Sequence, residues 1–156
     1  MPNAAERRLY VPDSAHVARS LLSELKNAHR DLINQMAAMD ALTAKDQFDA
    51  ALCVNSRWRL SQASLVRRLL TARICDFFLP RVELDDRAGL RQLLEADRAL
   101  LAKSSAHLGR WSVETVRRDW AGFCTASRAI RRKTHVHVAH EQRVLYPMLE
   151  EAADRL

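Results

Sequence analysis

Three glycines and four prolines are too few for a 156-residue chain to turn often. A sheet protein needs turn residues about every ten positions, so the chain is restricted to a few long helices. Apolar residues make up 48% and charged residues 28%, the ordinary balance of a globular domain. The length suits one domain with a core of its own. No apolar run approaches the roughly 20 residues that cross a bilayer. The opening MPNAAERRLYVPDS lacks the apolar stretch of a signal peptide. Cys53, Cys75 and Cys124 are isolated and form no CxxC pair, which fits a reducing compartment. Together these features point to a cytoplasmic protein without a membrane partner.

The formal charge of +6 favours acidic partners, nucleic acid among them. The basic residues are nevertheless spread over every segment. The densest group, Arg128, Arg131, Arg132 and Lys133, is short. A solvated basic surface accounts for this pattern better than a nucleic-acid interface.

Punctuation divides the chain into four helical stretches. Asp13 and Ser14 follow Pro12 and are suited to cap a first helix. Its seam reads Leu22, Leu25, His29, Leu32, Met36, Met39, at steps of three and four. A second stretch, opened by Thr43 with Asp46 as a capping box, runs to Pro80. Its expected seam is Ala63, Val66, Leu70, Ile74, Phe77. Glu83, Asp85 and Asp86 place negative charge where a third helix begins. That helix carries Leu90, Leu93, Asp97, Leu100 and Ser104 and stops near Gly109. Ser112 is placed to cap a fourth, with Phe123, Ala126, Ile130, His137, Glu141, Val144 and Met148 on its seam. The expected architecture is all-α, an up-down-up-down antiparallel four-helix bundle over residues 13–150. Residues 1–12 and 151–156 are expected as tails. The stretches 44–57 and 110–123 can each form a separate short helix.

Four polar residues stand on these seams where leucine is expected: His29, Asp97, His137 and Glu141. A buried ionisable group is costly unless it is paired, hydrogen-bonded or bound to metal. His137 and Glu141 are four apart and share one helical face, a spacing that places two ligands on one ion. The alternative reading for the pair is a surface contact. For His29 it is a hydrogen-bonded core residue, and for Asp97 an exposed carboxylate.

The chain also repeats itself. HVAHEQRVLYPMLEE (137–151) aligns without gaps on LTARICDFFLPRVEL (70–84), and NAHRDLI (27–33) aligns on EADRALL (95–101). His29 and Leu70 are 41 residues apart, and Asp97 and His137 are 40 apart. The positions of His137 and Glu141 correspond to Leu70 and Ile74 in the first copy.

The run from His137 through Glu141 to Pro147 resembles the closing motif of hemerythrin-like (HHE cation-binding) domains. The segment Ala28–Leu32 around His29 is similar to the family's first-helix histidine motif. The resemblance implies a four-helix bundle holding non-haem iron, usually a carboxylate-bridged pair, in proteins that bind oxygen, sense oxygen or redox state, store iron or help repair iron centres. It also implies a histidine where this chain has Asp97, and a histidine and glutamate where it has Leu70 and Ile74. Bridging two irons takes two carboxylates from opposite helices, so an ordinary di-iron centre is not expected. The remaining His29, Asp97, His137 and Glu141 are the candidate ligands for one iron, manganese or zinc ion.

Three functional readings follow. The first is a binding or sensing protein with a degenerate, mononuclear metal site, related to oxygen or redox chemistry. The second is a metal-free bundle acting in protein interaction or regulation, since Leu70 and Ile74 pack without metal. The third is nucleic-acid binding through the basic surface. No phosphate loop, nucleophile elbow or Cys/His pairing marks an ordinary hydrolase or transferase. The metal readings carry a geometric condition. A tight hairpin about residues 110–111 would stagger Asp97 and His137 by about 20 Å. They meet only if the connection is longer and centred near residue 117. His107 reads as an end-cap or a surface histidine, His135 and His140 as partly exposed, and Trp58, Trp111 and Trp120 as packing at the bundle ends.

Overall fold

A computed structural model describes residues 14–155, which form helices joined by short connections, with no strand among the described residues. The helices are α1 (Ser14–Thr43), α2 (Ala50–Phe78), α3 (Leu84–Arg110), the short α4 (Val113–Arg118) and α5 (Trp120–Asp154). Asp13 and the 1–12 segment lie outside the described residues. None of the described helices is long and apolar enough to cross a membrane.

Local chemistry sets most boundaries. Asp49 accepts a hydrogen bond from the Leu52 amide and opens α2. Ser112 accepts from the Thr115 amide and opens α4, and Asp119 accepts from the Gly122 amide and opens α5. Such caps satisfy amides that have no intrahelical partner. Asp85 and Asp86 sit in the first turn of α3, where the helix dipole favours negative charge. The expected opening of the second helix at Thr43 is corrected. Thr43 is the last residue of α1, and its hydroxyl donates back to the Met39 carbonyl. The 44–49 connection is not a helix. The expected fourth helix is divided, because α4 turns off at Asp119 before α5 begins. Helix α5 then passes through Pro147 and continues to Asp154, beyond the expected boundary at 150.

The long helices enclose a common core. Helix α1 packs on α2 and α5, and α3 packs on α5 and α2. Arg19 near the start of α1 donates to the Ala153 carbonyl, while Arg128 near the start of α5 donates to the Thr43 carbonyl. These two helices therefore run in opposite directions. One apolar cluster joins Leu21 and Leu25 to Leu70, Ile74, Leu90, Leu93, Leu145 and Leu149. A second joins Met39 and Leu42 to Cys53, Trp111, Val116 and Phe123. Burying one such leucine or isoleucine contributes about 1.5–3 kcal/mol.

Helix α2 is rotated from its expected setting. Its buried side is Cys53, Arg67, Leu70, Thr71, Ile74, Cys75 and Phe78. Val66 is 55% exposed and Arg67 only 2%. Ala126, Ile130, Val144 and Met148 on α5 are half-buried, and the buried stripe there includes Ser127, Arg131, Thr134, Leu145 and Leu149. Trp111 and Trp120 pack against Phe123 as expected of end residues, but Trp58 is 63% exposed.

Candidate functional site

All four polar seam residues are buried and come together. His29 arrives from α1, Asp97 from α3, and His137 and Glu141 from α5. Asp97 and His137 meet because Trp111–Asp119, with α4 inside it, lengthens the connection between α3 and α5. The His137 Nε2 lies 3.2 Å from Asp97 Oδ1 and 3.2 Å from Glu141 Oε1. Its position between the two oxygens makes an ionic contact with both but a regular hydrogen bond with neither. The His29 Nε2 faces Glu141 Oε2 from the other side at 3.5 Å. One donor atom each from Asp97, His137 and Glu141 falls within 4.8 Å of the others, so this triad could hold a metal ion.

The sequence reading missed the residue at the centre of this group. Arg67 extends its guanidinium from α2 between the acids: Nη1 donates to Glu141 Oε1, and Nη2 donates to Asp97 Oδ1 at 2.6 Å. Thr71, one turn on, donates to Glu141 Oε2 at 2.5 Å. On the other flank, the Tyr146 hydroxyl and His29 Nδ1 are 2.7 Å apart. A carboxylate only accepts. A proton on His29 Nε2, facing Glu141, therefore leaves Nδ1 to accept from Tyr146.

The electrostatics close on themselves. Burial works against the charged form of Glu141, but His137, His29, Arg67 and Thr71 together hold its carboxyl well below the usual range. Asp97 is likewise lowered: His137 and Arg67 outweigh the burial that opposes them. Burial would lower His137, yet Asp97 and Glu141 prevail and hold its pKa at about 9. At neutral pH the two carboxylates therefore face one guanidinium and one imidazolium. Arg67 and His137 are thus the cationic groups set against Asp97 and Glu141.

A two-metal centre does not fit these residues. Leu70 and Ile74, which the internal repeat aligns with His137 and Glu141, are buried hydrocarbon and offer no ligand. For one ion the oxygens are suitably placed, but Arg67 uses an oxygen of each acid. A metal on His137 would have to displace its proton, since a histidine ligand is neutral. The positive group Arg131, part of the densest basic run, is buried as well. It is bonded to Asp40, Ser127 and Thr43 and is not available to a polyanion.

His107 is half-buried and stacked on Phe123, in keeping with an end-cap. His135 is exposed and His140 half-buried. Arg67 did have a signal in the sequence. It lies on the stripe Leu60, Arg67, Leu70, Thr71, Ile74, and Asp97 and Glu141 are seam acids on other helices with no obvious cation. No family model, curated protein or solved structure matches the chain.

Proposed function

We propose that the chain is a hemerythrin-like, up-down-up-down four-helix bundle whose central cation is the Arg67 guanidinium instead of a metal, and that it serves as a metal-independent interaction or regulatory module. The burial of Arg67 between Glu141 and Asp97 carries this reading. Guanidinium is planar, permanently charged and able to bridge two carboxylates, so it supplies the charge that a divalent ion supplies in a metal centre. The outer face of α2 supports the interaction role. Trp58, Val66 and Leu69 are all more than half exposed there, and large exposed apolar groups gathered on one face mark surfaces that bind partners.

The second reading keeps one metal ion on Asp97, His137 and Glu141, with His29 as a further donor. It is favoured by the spacing of the triad and by the buried, unbonded Nε2 atoms of His29 and His137. It requires Arg67 to leave the acids and His137 to lose its proton. Iron, manganese or zinc would then act as an electrostatic centre, and iron would add redox chemistry.

Thermal unfolding separates the two. A metal that binds only the folded chain raises Tm by mass action. Metal independence predicts the same Tm in chelator and in excess Fe(II), Mn(II) or Zn(II). A lower Tm in chelator, restored by one of these ions, would favour the second reading.

A further inference from the structure

A second feature of the interior stands apart from the charge cluster. Short side chains face one another across three helices: Ser61 and Ser64 on α2, Ser104 on α3, and Ser127 on α5. With no large side chain to fill the space between them, a cavity of about 170 Å³ remains. Its apolar wall is formed by Met36, Leu60 and Phe123. None of His29, Arg67, Asp97, His137 or Glu141 lines it.

The charged part of the lining is cationic. Arg57, Arg68 and Arg131 border the cavity together with His107, and no carboxylate does. Two of the arginines are already engaged. Arg57 donates to the Trp111 carbonyl and lies over the Phe123 ring, and Arg131 is bonded to Asp40. Arg68 is half-buried, with Arg67 and Asp97 the charged groups that act on it, and it makes no direct ion pair among the described residues. Burial and the neighbouring Arg57 and Arg131 lower the pKa of His107, as expected where positive charge is in excess.

We infer that this cavity is a binding site for a small organic carboxylate with an apolar body of about one ring, its carboxylate on Arg68 and its body against Phe123 and Leu60. The volume is right for this class, since an apolar cavity of about 150 Å³ takes up benzene. Serine hydroxyls give the carboxylate further donors. The assignment goes beyond the proposed function, and it holds whether or not the charge cluster takes a metal.

Benzoate is the probe, titrated by calorimetry into the full chain, with His107 ring resonances followed by NMR. Saturable binding that shifts the His107 resonances is expected. Arg68→Gln should weaken it about tenfold or more, the worth of a hydrogen bond between charged groups. Ser64→Leu, which fills the cavity, should abolish it. Benzylamine and inorganic phosphate should bind far more weakly, since one lacks the anion and the other the apolar body. No saturable binding would overturn the site. So would benzene binding as tightly as benzoate, or benzoate affinity unchanged in Arg68→Gln. Arg68 is only half-buried, so that variant keeps the test decisive if Ser64→Leu does not fold. Metal-dependent melting would overturn the proposed function and leave this result standing.

Discussion

At the scale of single residues, Arg67 determines how the interior can work. Removing one partner of a buried ion pair leaves a charge with nothing to offset its desolvation, at a cost of about 3–5 kcal/mol. Arg67→Met is expected to destabilise by that amount in denaturant unfolding. Arg67→Lys is expected to recover only part of it, because a single ammonium cannot reproduce the planar bridge between Asp97 and Glu141. The triple change Arg67→Met, Asp97→Asn, Glu141→Gln should recover much of the loss, since it removes the uncompensated charges. If Arg67→Met were neutral, the guanidinium would not be the cation of the cluster.

His137 gives the same network a pH signature. Its folded pKa of about 9 lies above the ordinary 6.5. Its stabilisation is therefore complete below pH about 6.5 and is lost as pH rises through about 9. Glu141 and Asp97 are shifted downward, so their stabilisation is present above their ordinary pKa values and is lost on acidification. Chemical unfolding across pH should show greatest stability near pH 5–6.5, the window between the ordinary carboxylate and imidazole values. NMR titration should find the His137 ring protonated at pH 7. A ring that titrates at or below 6.5 would contradict the ion-paired arrangement.

At the scale of helices, much was readable from sequence and one helix was not. The Leu25, His29, Leu32, Met36 stripe of α1 is regular, and its buried face matches the periodicity. The acidic opening of α3 is a local signal and was placed correctly, whereas Ser112 caps only the short α4 and Asp119 opens the long helix that Ser112 was expected to start. Helix α2 carries apolar residues on both sides. Val66 and Leu69 compete with Leu70 and Ile74, so periodicity alone does not choose a face. Polarity misled there as well: arginine is the residue least expected inside, and Val66 was read as core in its place. Only the acids of α3 and α5, distant in sequence, make Arg67 an interior residue. The resulting test is simple. Ile74→Ala should cost about 2–5 kcal/mol as a core truncation, while Val66→Ala should stay within about 0.5 kcal/mol as a surface change. Comparable losses at both would mean that α2 is turned differently.

The gathering of His29, Asp97, His137 and Glu141 was legible for a related reason. Each is a polar break in an apolar seam, and the internal repeat places His29 and Asp97 in matching positions, while His137 and Glu141 match Leu70 and Ile74. Their partners were not legible, because Thr71 and Tyr146 are unremarkable on their own helices. They gain a role only when α2 brings Thr71 to Glu141 and α5 brings Tyr146 to His29 of α1.

At the scale of the whole molecule, apolar clusters pack against one another around a layer of charged groups that neutralise themselves. Such a layer fixes how helices align, because a slipped helix would strand an acid without its cation. On the proposed reading the fold is maintained without a metal, and its surfaces carry the function. The most direct test is metal analysis of the purified, full-length protein by plasma mass spectrometry, after isolation under low oxygen from unsupplemented cells and again after incubation with Fe(II). Metal far below one ion per chain in both samples is the expected result, with Arg67 as the resident cation. One tightly held ion per chain, lost in His137→Leu, would contradict it and establish the Asp97, His137 and Glu141 cluster as a metal site.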